Sequence, residues 1–189
     1  WTLSRGLGDV YKRQILLSIF VGLLVIIRYL IEVSISLIFK KYLNPFSAIA
    51  HFALGLLLVS ISFNSLLSTE RALNIKINEF EEYKDLTIYF KDIRVRKGSN
   101  YDAVKAEFNI KDKNGNNFDL SPEKRRYFTR GQITTETAIH VSPLKDIYLT
   151  IGDQLEDGSW IVNVQINFLI RWIWFCLLYT SPSPRDRVQ

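Results

Sequence analysis

The residue best placed for cofactor chemistry is His51, because it lies inside a stretch that carries no charged side chain. A titratable ring in such a segment must face protein or a cofactor rather than lipid. In a helix, Ser47 and Gly55 flank His51 by one turn, Ala48 lies three residues before it, and Ser62 falls near the same face. This small, weakly polar face permits close helix packing, or a flat macrocycle whose iron binds the imidazole. The alternative is a histidine hydrogen-bonded to a neighbouring helix.

The second histidine, His140, follows Glu136 by four residues in the segment TTETAIH. A metal-binding or acid–base role would need a third ligand or a nucleophile, and none stands at a suitable spacing. We therefore interpret His140 as a structural or exposed histidine.

A short basic cluster is formed by Lys124, Arg125, Arg126 and Arg130. The arginine fork matches a carboxylate, so this cluster is a candidate site for an anion such as a haem propionate, or for a partner. The alternative is the solvated face of a strand. The sequence holds no phosphate-binding glycine loop, Ser/His/Asp set or zinc-spaced cluster, so no catalytic residue is assigned.

Both ends of the chain are unlike the rest and encode each other. The segment SRGLGDVYKRQ (4–14) back-translates to a transposon-type sequencing adapter. The reverse complement of that string, read one base out of frame, translates as CLLYTSPSPRD (176–186). We therefore expect residues 1–14 and 175–189 to be non-native adapter, and the biological sequence to run from Ile15 to Trp174 with Phe175 as the junction.

The composition changes once these ends are set aside. Lys plus Arg falls from 24 to 19 and Asp plus Glu from 19 to 17, so the net charge falls from +5 to +2. The basic balance then gives no support to nucleic-acid binding. Cys176 is removed as well, which excludes disulfides and thiolate chemistry from the expected native part.

The elements that position these residues begin with membrane helices. Ile15–Ile27 is apolar and predicts the end of a spanning helix, and residues 28–41, with Arg28 and Glu32 at ion-pair spacing, predict a segment at the cytoplasmic surface. Asn44 and Pro45 signal a helix start. The 23 residues 45–67 lack Asp, Glu, Lys and Arg, which predicts a helix spanning a hydrocarbon core of roughly 30 Å. Lys40 and Lys41 place the preceding loop in the cytoplasm.

Residues 69–168 have the opposite character, with alternating β-branched and aromatic residues, many charges and turn signals. They predict an extracytoplasmic all-β domain, a small barrel or sandwich. The predicted strands are 86–95, 103–110, 125–130, 146–151 and 160–166, and an Asn-Gly hairpin turn is predicted within 112–117. Residues 169–174 are apolar and rich in tryptophan, so they predict the start of a further span, with Arg171 reaching the head groups.

Several segments, taken together in this order, resemble the C-terminal part of the CcmF family, the haem lyase of cytochrome c maturation. They are AHFALGLLLVSISFNSLLSTER (50–71), SPEKRRYFTRG (121–131), TTETAIH (134–140), KDIYLTIGDQLEDGSW (145–160) and RWIW (171–174). The resemblance covers residues 50–174. Where the family commonly has a Lys-Pro pair before RWIW, this sequence has Asn167 and Phe168.

The resemblance implies a multi-pass protein of the bacterial inner membrane, or a mitochondrial relative, with domain 69–168 in the periplasm. It implies a role in attaching haem covalently to apocytochrome c, with a haem chaperone, the apocytochrome and thiol-handling maturation subunits as partners. The family has a histidine near the start of the helix before the outer domain that is an axial ligand of a b-type haem. The AHFALG context places that role on His51, and the second ligand is expected outside this chain.

The family's substrate-haem residues also lie outside this chain, so we do not expect the fragment alone to be catalytic. A second hypothesis is a membrane-anchored periplasmic β domain that acts as an assembly or partner-binding module without haem contact.

Overall fold

The computed structural model describes residues 2–39, 45–129 and 131–180, which form two compact units. One unit holds the helices together with Pro143–Lys145, and the other holds Thr69–Ser142 and Asp146–Asn167. Membrane-type helices and a β domain are thus both present, as the sequence predicts.

The described helices are α1 (Thr2–Phe39), α2 (Pro45–Leu67) and α3 (Ile170–Thr180). By length and composition, Val10–Phe39 and Ser47–Leu67 are suited to cross a membrane. The predicted adapter residues 2–14 and 175–180 are helical and continuous with α1 and α3. The predicted residues Lys40, Lys41 and Asn44 lie outside the described residues.

The sequence predicts the end of a spanning helix at Ile27, whereas α1 continues without interruption to Phe39. Apolar residues resume directly after Arg28 and dominate the stretch to Phe39, so the helical pattern is not broken by the two charges. Arg28 and Glu32 are not within ion-pair distance of each other, although their spacing permits the contact.

Helices α1 and α2 pack closely where Gly22 meets Gly55. A Cβ atom added at Gly55 would lie 2.9 Å from the carbonyl oxygen of Gly22, and one added at Gly22 would lie 2.8 Å from Val59 Cγ2. Both glycines are buried. Small residues let helix backbones approach in this way.

Helix α3 is tied to the end of α2 by polar contacts. The amide of Phe168 donates to Asn64 Oδ1 at 3.1 Å and to Ser68 Oγ at 3.3 Å. Leu169 has a φ of 58° and its carbonyl accepts the amides of Trp172 and Ile173, which begins the helix. A proline at position 168, which the family commonly has here, would have no amide proton to donate. Phe168 therefore permits the hydrogen bonds to Asn64 and Ser68.

The β domain contains two antiparallel sheets. The first has the strand order β1-β10-β9-β8, and the second has the order β2-β3-β4-β6-β7, with β5 paired to β4. The strands are β1 (Thr69–Ile75), β2 (Phe80–Tyr83), β3 (Leu86–Lys97), β4 (Tyr101–Asp112), β5 (Asn117–Leu120), β6 (Glu123–Tyr127), β7 (Ile133–Glu136), β8 (Ala138–Val141), β9 (Lys145–Gln154) and β10 (Trp160–Phe168).

The core of the β domain is built from alternate positions on these strands. Phe90 and Phe108 are fully buried, and their rings stack with centroids 4.4 Å apart. Leu149 and Val164 on the other sheet are also fully buried. Because successive residues of a strand face opposite sides, this alternation gives each sheet one apolar face.

The predicted strands at 86–95, 103–110, 146–151 and 160–166 are confirmed, and the observed strands extend beyond them. The predicted strand 125–130 is wrong at its end. Strand β6 stops at Tyr127, whose amide donates to the Gln132 carbonyl at 2.9 Å and closes a turn in which Gly131 has a φ of 60°. The Asn-Gly turn is confirmed, with Gly115 at a φ of 82°.

Candidate functional site

His51 lies in the second turn of α2, and its side chain is exposed on the helix surface. The imidazole ring stacks on the ring of Tyr29 from α1, with centroids 4.6 Å apart and an angle of 18° between the planes. The two helices therefore hold the ring from one side, while the described residues leave its remaining edge uncovered.

The hydrogen bond made by His51 fixes its proton. Nδ1 lies 2.7 Å from the carbonyl oxygen of Ser47, one turn earlier in α2. A carbonyl can only accept, so Nδ1 is the donor, and in the neutral ring Nε2 carries no proton. This is the arrangement that iron-binding histidines use, with one ring nitrogen oriented by a carbonyl and the other available to the metal.

An apolar groove of about 240 Å³ lies between α1 and α2, and Tyr29, on which the His51 ring stacks, is one of its walls. It is lined by Tyr29 and Leu30 from α1 and by Ala48 and Phe52 from α2, together with Val33 and Ile49. Binding sites for flat organic ligands are concave and mostly apolar in this way. An imidazole nitrogen without a proton, next to apolar helix surface, is a donor that haem iron accepts, so the residues present are compatible with that group.

The small-residue face of α2 packs directly against α1 at Gly55. Nearer the start of the helix, Ala48 on the same face lines the apolar groove. The sequence predicts that Ser47, Gly55 and His51 share one face of α2. It does not predict that Tyr29 and Gly22 of α1 contact this face. The signal for Gly22 was its position as the single glycine of an apolar run. Tyr29 had no signal beyond its place in the preceding helix.

His140 contacts an aromatic ring. Its ring stacks on Phe118 of β5, with centroids 3.7 Å apart and an angle of 12°. Glu136 is directed elsewhere, since its carboxylate lies 3.4 Å from Arg125. Among the residues that the structure describes, no group of three His, Cys, Asp or Glu side chains could hold a metal ion.

The basic cluster is divided by the alternation of β6. Arg125 turns to one face, where its guanidinium bonds Glu123 Oε2 at 3.0 Å and lies 5.1 Å from the centre of the Tyr101 ring. The Glu123 carboxylate raises the pKa of Arg125. Lys124 turns to the other face and pairs with Asp153. Both cations are therefore paired within the chain.

Of the four predicted residues, Arg126 is the one that the structure describes as exposed and without an ion pair. Arg130 lies outside the described residues. Among the described residues of the run, Lys124 and Arg125 are thus held in internal ion pairs, and Arg126 is exposed.

The β domain is similar to a known protein family. A family model described as the CcmF C-terminal beta-sandwich matches residues 66–167. Among solved structures, the chain is similar to one described as Cytochrome c Heme Lyase CcmF, with a TM-score of 0.60 and 14% identity over 71% of this chain and 22% of that one. At this identity the likeness shows a shared fold.

Curated relatives match over a similar part of the chain. The cytochrome c-type biogenesis protein CcmF of Escherichia coli (strain K12) is 30% identical over 125 residues, which is 66% of this chain and 19% of that protein. Proteins of the same name are 28% identical over 127 residues in Pseudomonas aeruginosa (67% and 19%) and 30% identical over 133 residues in Haemophilus influenzae (70% and 20%). The chain spans about a fifth of the length of these relatives.

Proposed function

The chain belongs to the CcmF family, and from that premise we propose that it is part of a membrane haem lyase component that attaches haem covalently to apocytochrome c. The partners proposed with it are a haem chaperone, the apocytochrome and thiol-handling maturation subunits. Because the chain spans about a fifth of its relatives, we propose that it supplies part of the activity together with residues outside this chain.

The observation that carries the haem assignment is the Nδ1–H to Ser47 carbonyl bond of His51. We propose that Nε2 of His51 is one axial ligand of a b-type haem in the membrane, and that the second ligand comes from outside this chain. Bound there, the haem would supply reversible one-electron transfer.

The chain's own residues contribute orientation and exclusion of water. The Ser47 carbonyl and the Tyr29 ring hold the imidazole in one rotamer and one tautomer. The groove walls formed by Ala48 and Phe52 are apolar, so a flat ligand lying against Tyr29 would exclude water there. Such contacts fix the direction of a metal-binding lone pair before the metal arrives.

The proposed location is the bacterial inner membrane, with residues 69–168 in the periplasm. Two apolar helices support membrane insertion. The orientation is supported by Lys40 and Lys41, which precede α2, because positive charges favour the cytoplasmic side. Residues 1–14 and 175–189 are proposed not to belong to the natural protein.

The function is tested with a chimera of the Escherichia coli relative in which residues 50–174 of this chain replace the matching segment. Expressed in a strain that lacks its own CcmF, the chimera should restore covalent haem in c-type cytochromes, detected by haem staining of denatured protein. The same chimera carrying His51→Ala should insert equally but stain weakly. A chimera that inserts normally and restores no cytochrome would contradict the proposal.

A further inference from the structure

Strand β3 is paired on both sides over only part of its length. On one side β2 covers Leu86–Tyr89, and Phe90 exchanges backbone bonds with Asn78 and Glu79. From Asp92 to Lys97, β3 remains paired with β4. On the opposite side, where β2 has ended, no strand lies beside these residues within the described part of the chain. We refer to Asp92–Lys97 as the free edge.

The hairpin turn shows which backbone groups of the free edge point outward. The Gly98 amide donates to the Tyr101 carbonyl at 2.8 Å, so Gly98 faces β4. In an antiparallel ladder the direction alternates, and the amides and carbonyls of Val95 and Lys97 therefore point away from β4. The outward amide of Ile93 is already occupied by Asp92 Oδ1 at 2.8 Å.

The side chains around these open groups are basic and apolar. Arg96 and Lys97 are exposed, and across the described residues no carboxylate lies within ion-pair distance of either. Val95 is 74% exposed. By contrast, Arg94 is paired with Asp92 at 3.2 Å and with Glu107 at 3.5 Å.

We propose that the free edge binds an extended, acidic segment of a partner protein, which adds to β3 as a further strand. Open backbone groups supply the affinity of such strand addition, and neighbouring side chains select the sequence. The unpaired cations favour carboxylates on the incoming strand, and they repel a second copy of the same edge. The inference rests on the β domain and is independent of the haem assignment to His51.

The probe is a fluorescent seven-residue peptide of alternating glutamate and valine, titrated against the full chain in neutral-lipid nanodiscs. Binding should be saturable by fluorescence anisotropy and should weaken as salt is raised, because exposed charges are screened. Hydrogen exchange of residues 92–97 should slow when the peptide binds. A peptide of alternating lysine and valine should not bind.

Two variants separate strand addition from charge attraction. Val95→Pro removes an outward amide that the ladder does not use, so the fold is retained while strand addition is blocked. The double variant Arg96→Glu, Lys97→Glu reverses the charge. Each should weaken binding at least tenfold, and Lys111→Glu, an exposed cation at the far end of β4, should leave binding unchanged. The absorption spectrum of any bound haem should be the same in all four proteins.

The proposal is overturned if the acidic peptide does not bind, if it binds Val95→Pro as well as the parent chain, or if the lysine peptide binds equally. Concentration-dependent self-association that Val95→Pro removes would make a second copy the occupant, and it would also overturn an acidic partner.

Discussion

The rings of Tyr29 and His51 lie face to face across the α1–α2 pair, with centroids 4.6 Å apart. An aromatic pair of this kind contributes about 0.5–1.5 kcal/mol beyond its buried area. We expect Tyr29→Leu to lower haem retention severalfold during purification, measured as haem per protein, because the imidazole loses its orienting partner. Tyr29→Phe keeps the stack and should retain haem as the parent does. Equal retention by Tyr29→Leu would show that the stack does not orient the ligand.

Because Gly22 and Gly55 are in contact, we expect alanine at position 55 to lower stability, which is the opposite of its usual effect in a helix. At an ordinary helical site, glycine to alanine stabilises by about 1 kcal/mol. At Gly55 the new Cβ would lie 2.9 Å from both the Gly22 carbonyl oxygen and Ile26 Cγ1, so the helices must move apart. We expect Gly55→Ala to destabilise the helix pair by about 1–3 kcal/mol, the usual range for overpacking.

The measurement is unfolding of the full chain in mixed detergent micelles, followed by helical circular dichroism. Ser65→Ala is the control, because Ser65 is an exposed position of the same helix. Gly55→Ala as stable as the control would mean that the glycine crossing does not set the distance between the helices.

Much of this arrangement follows from the sequence. The charge-free stretch predicts a helix over 45–67, and α2 spans Pro45–Leu67. The end of α1 was harder to predict, because Arg28 and Glu32 suggested that the apolar helix had already ended. Two charges at i, i+4 spacing do not break a helix when apolar residues resume around them.

The exposed carboxylates of the β domain predict a loss of stability in acid. The pKa of Asp119 is lowered by a hydrogen bond from Asn109 and by Lys91 Nζ at 2.7 Å. Because the folded pKa lies below the unfolded value of about 3.9, this contribution is fully present above pH 4 and is lost as pH falls through the folded pKa. We expect the urea midpoint to fall as pH is lowered from about 4 to about 2.

Asp119→Asn should reduce that acid dependence, because the variant has no proton to gain. An identical pH dependence of stability in the variant and the parent would show that Asp119 does not cause the loss of stability in acid.

The turn between β4 and β5 requires a residue that tolerates positive φ. Gly115 has a φ of 82°, and a Cβ added there would meet no atom within 4 Å. Gly115→Ala should therefore cost about 1–2 kcal/mol through backbone strain alone. Gly115→Asn should cost less, since asparagine visits this region more readily. Thermal unfolding of the β domain within the full chain measures the stability of both variants. Equal stability of the parent and the two variants would show that positive φ at position 115 does not strain these side chains.

The β domain shows where sequence patterns reach their limit. Long strands such as β3 and β4 have clear alternation, and they were predicted. Strands β2, β5, β7 and β8 are short, with four residues each, so their alternation is too brief to recognise. The basic cluster was predicted as one site because its residues are adjacent in sequence. Strand geometry places Arg125 and Lys124 on opposite faces.

The most direct test of the haem assignment compares the two histidines of the chain. Each is replaced by alanine in the intact, full-length protein, and the reduced-minus-oxidised absorption spectrum of the purified material is recorded at equal protein. His51→Ala should abolish the b-type bands, because the axial ligand is lost. His140→Ala should leave them unchanged, because His140 stacks on Phe118 within the β domain. A full b-type spectrum in His51→Ala would contradict the account.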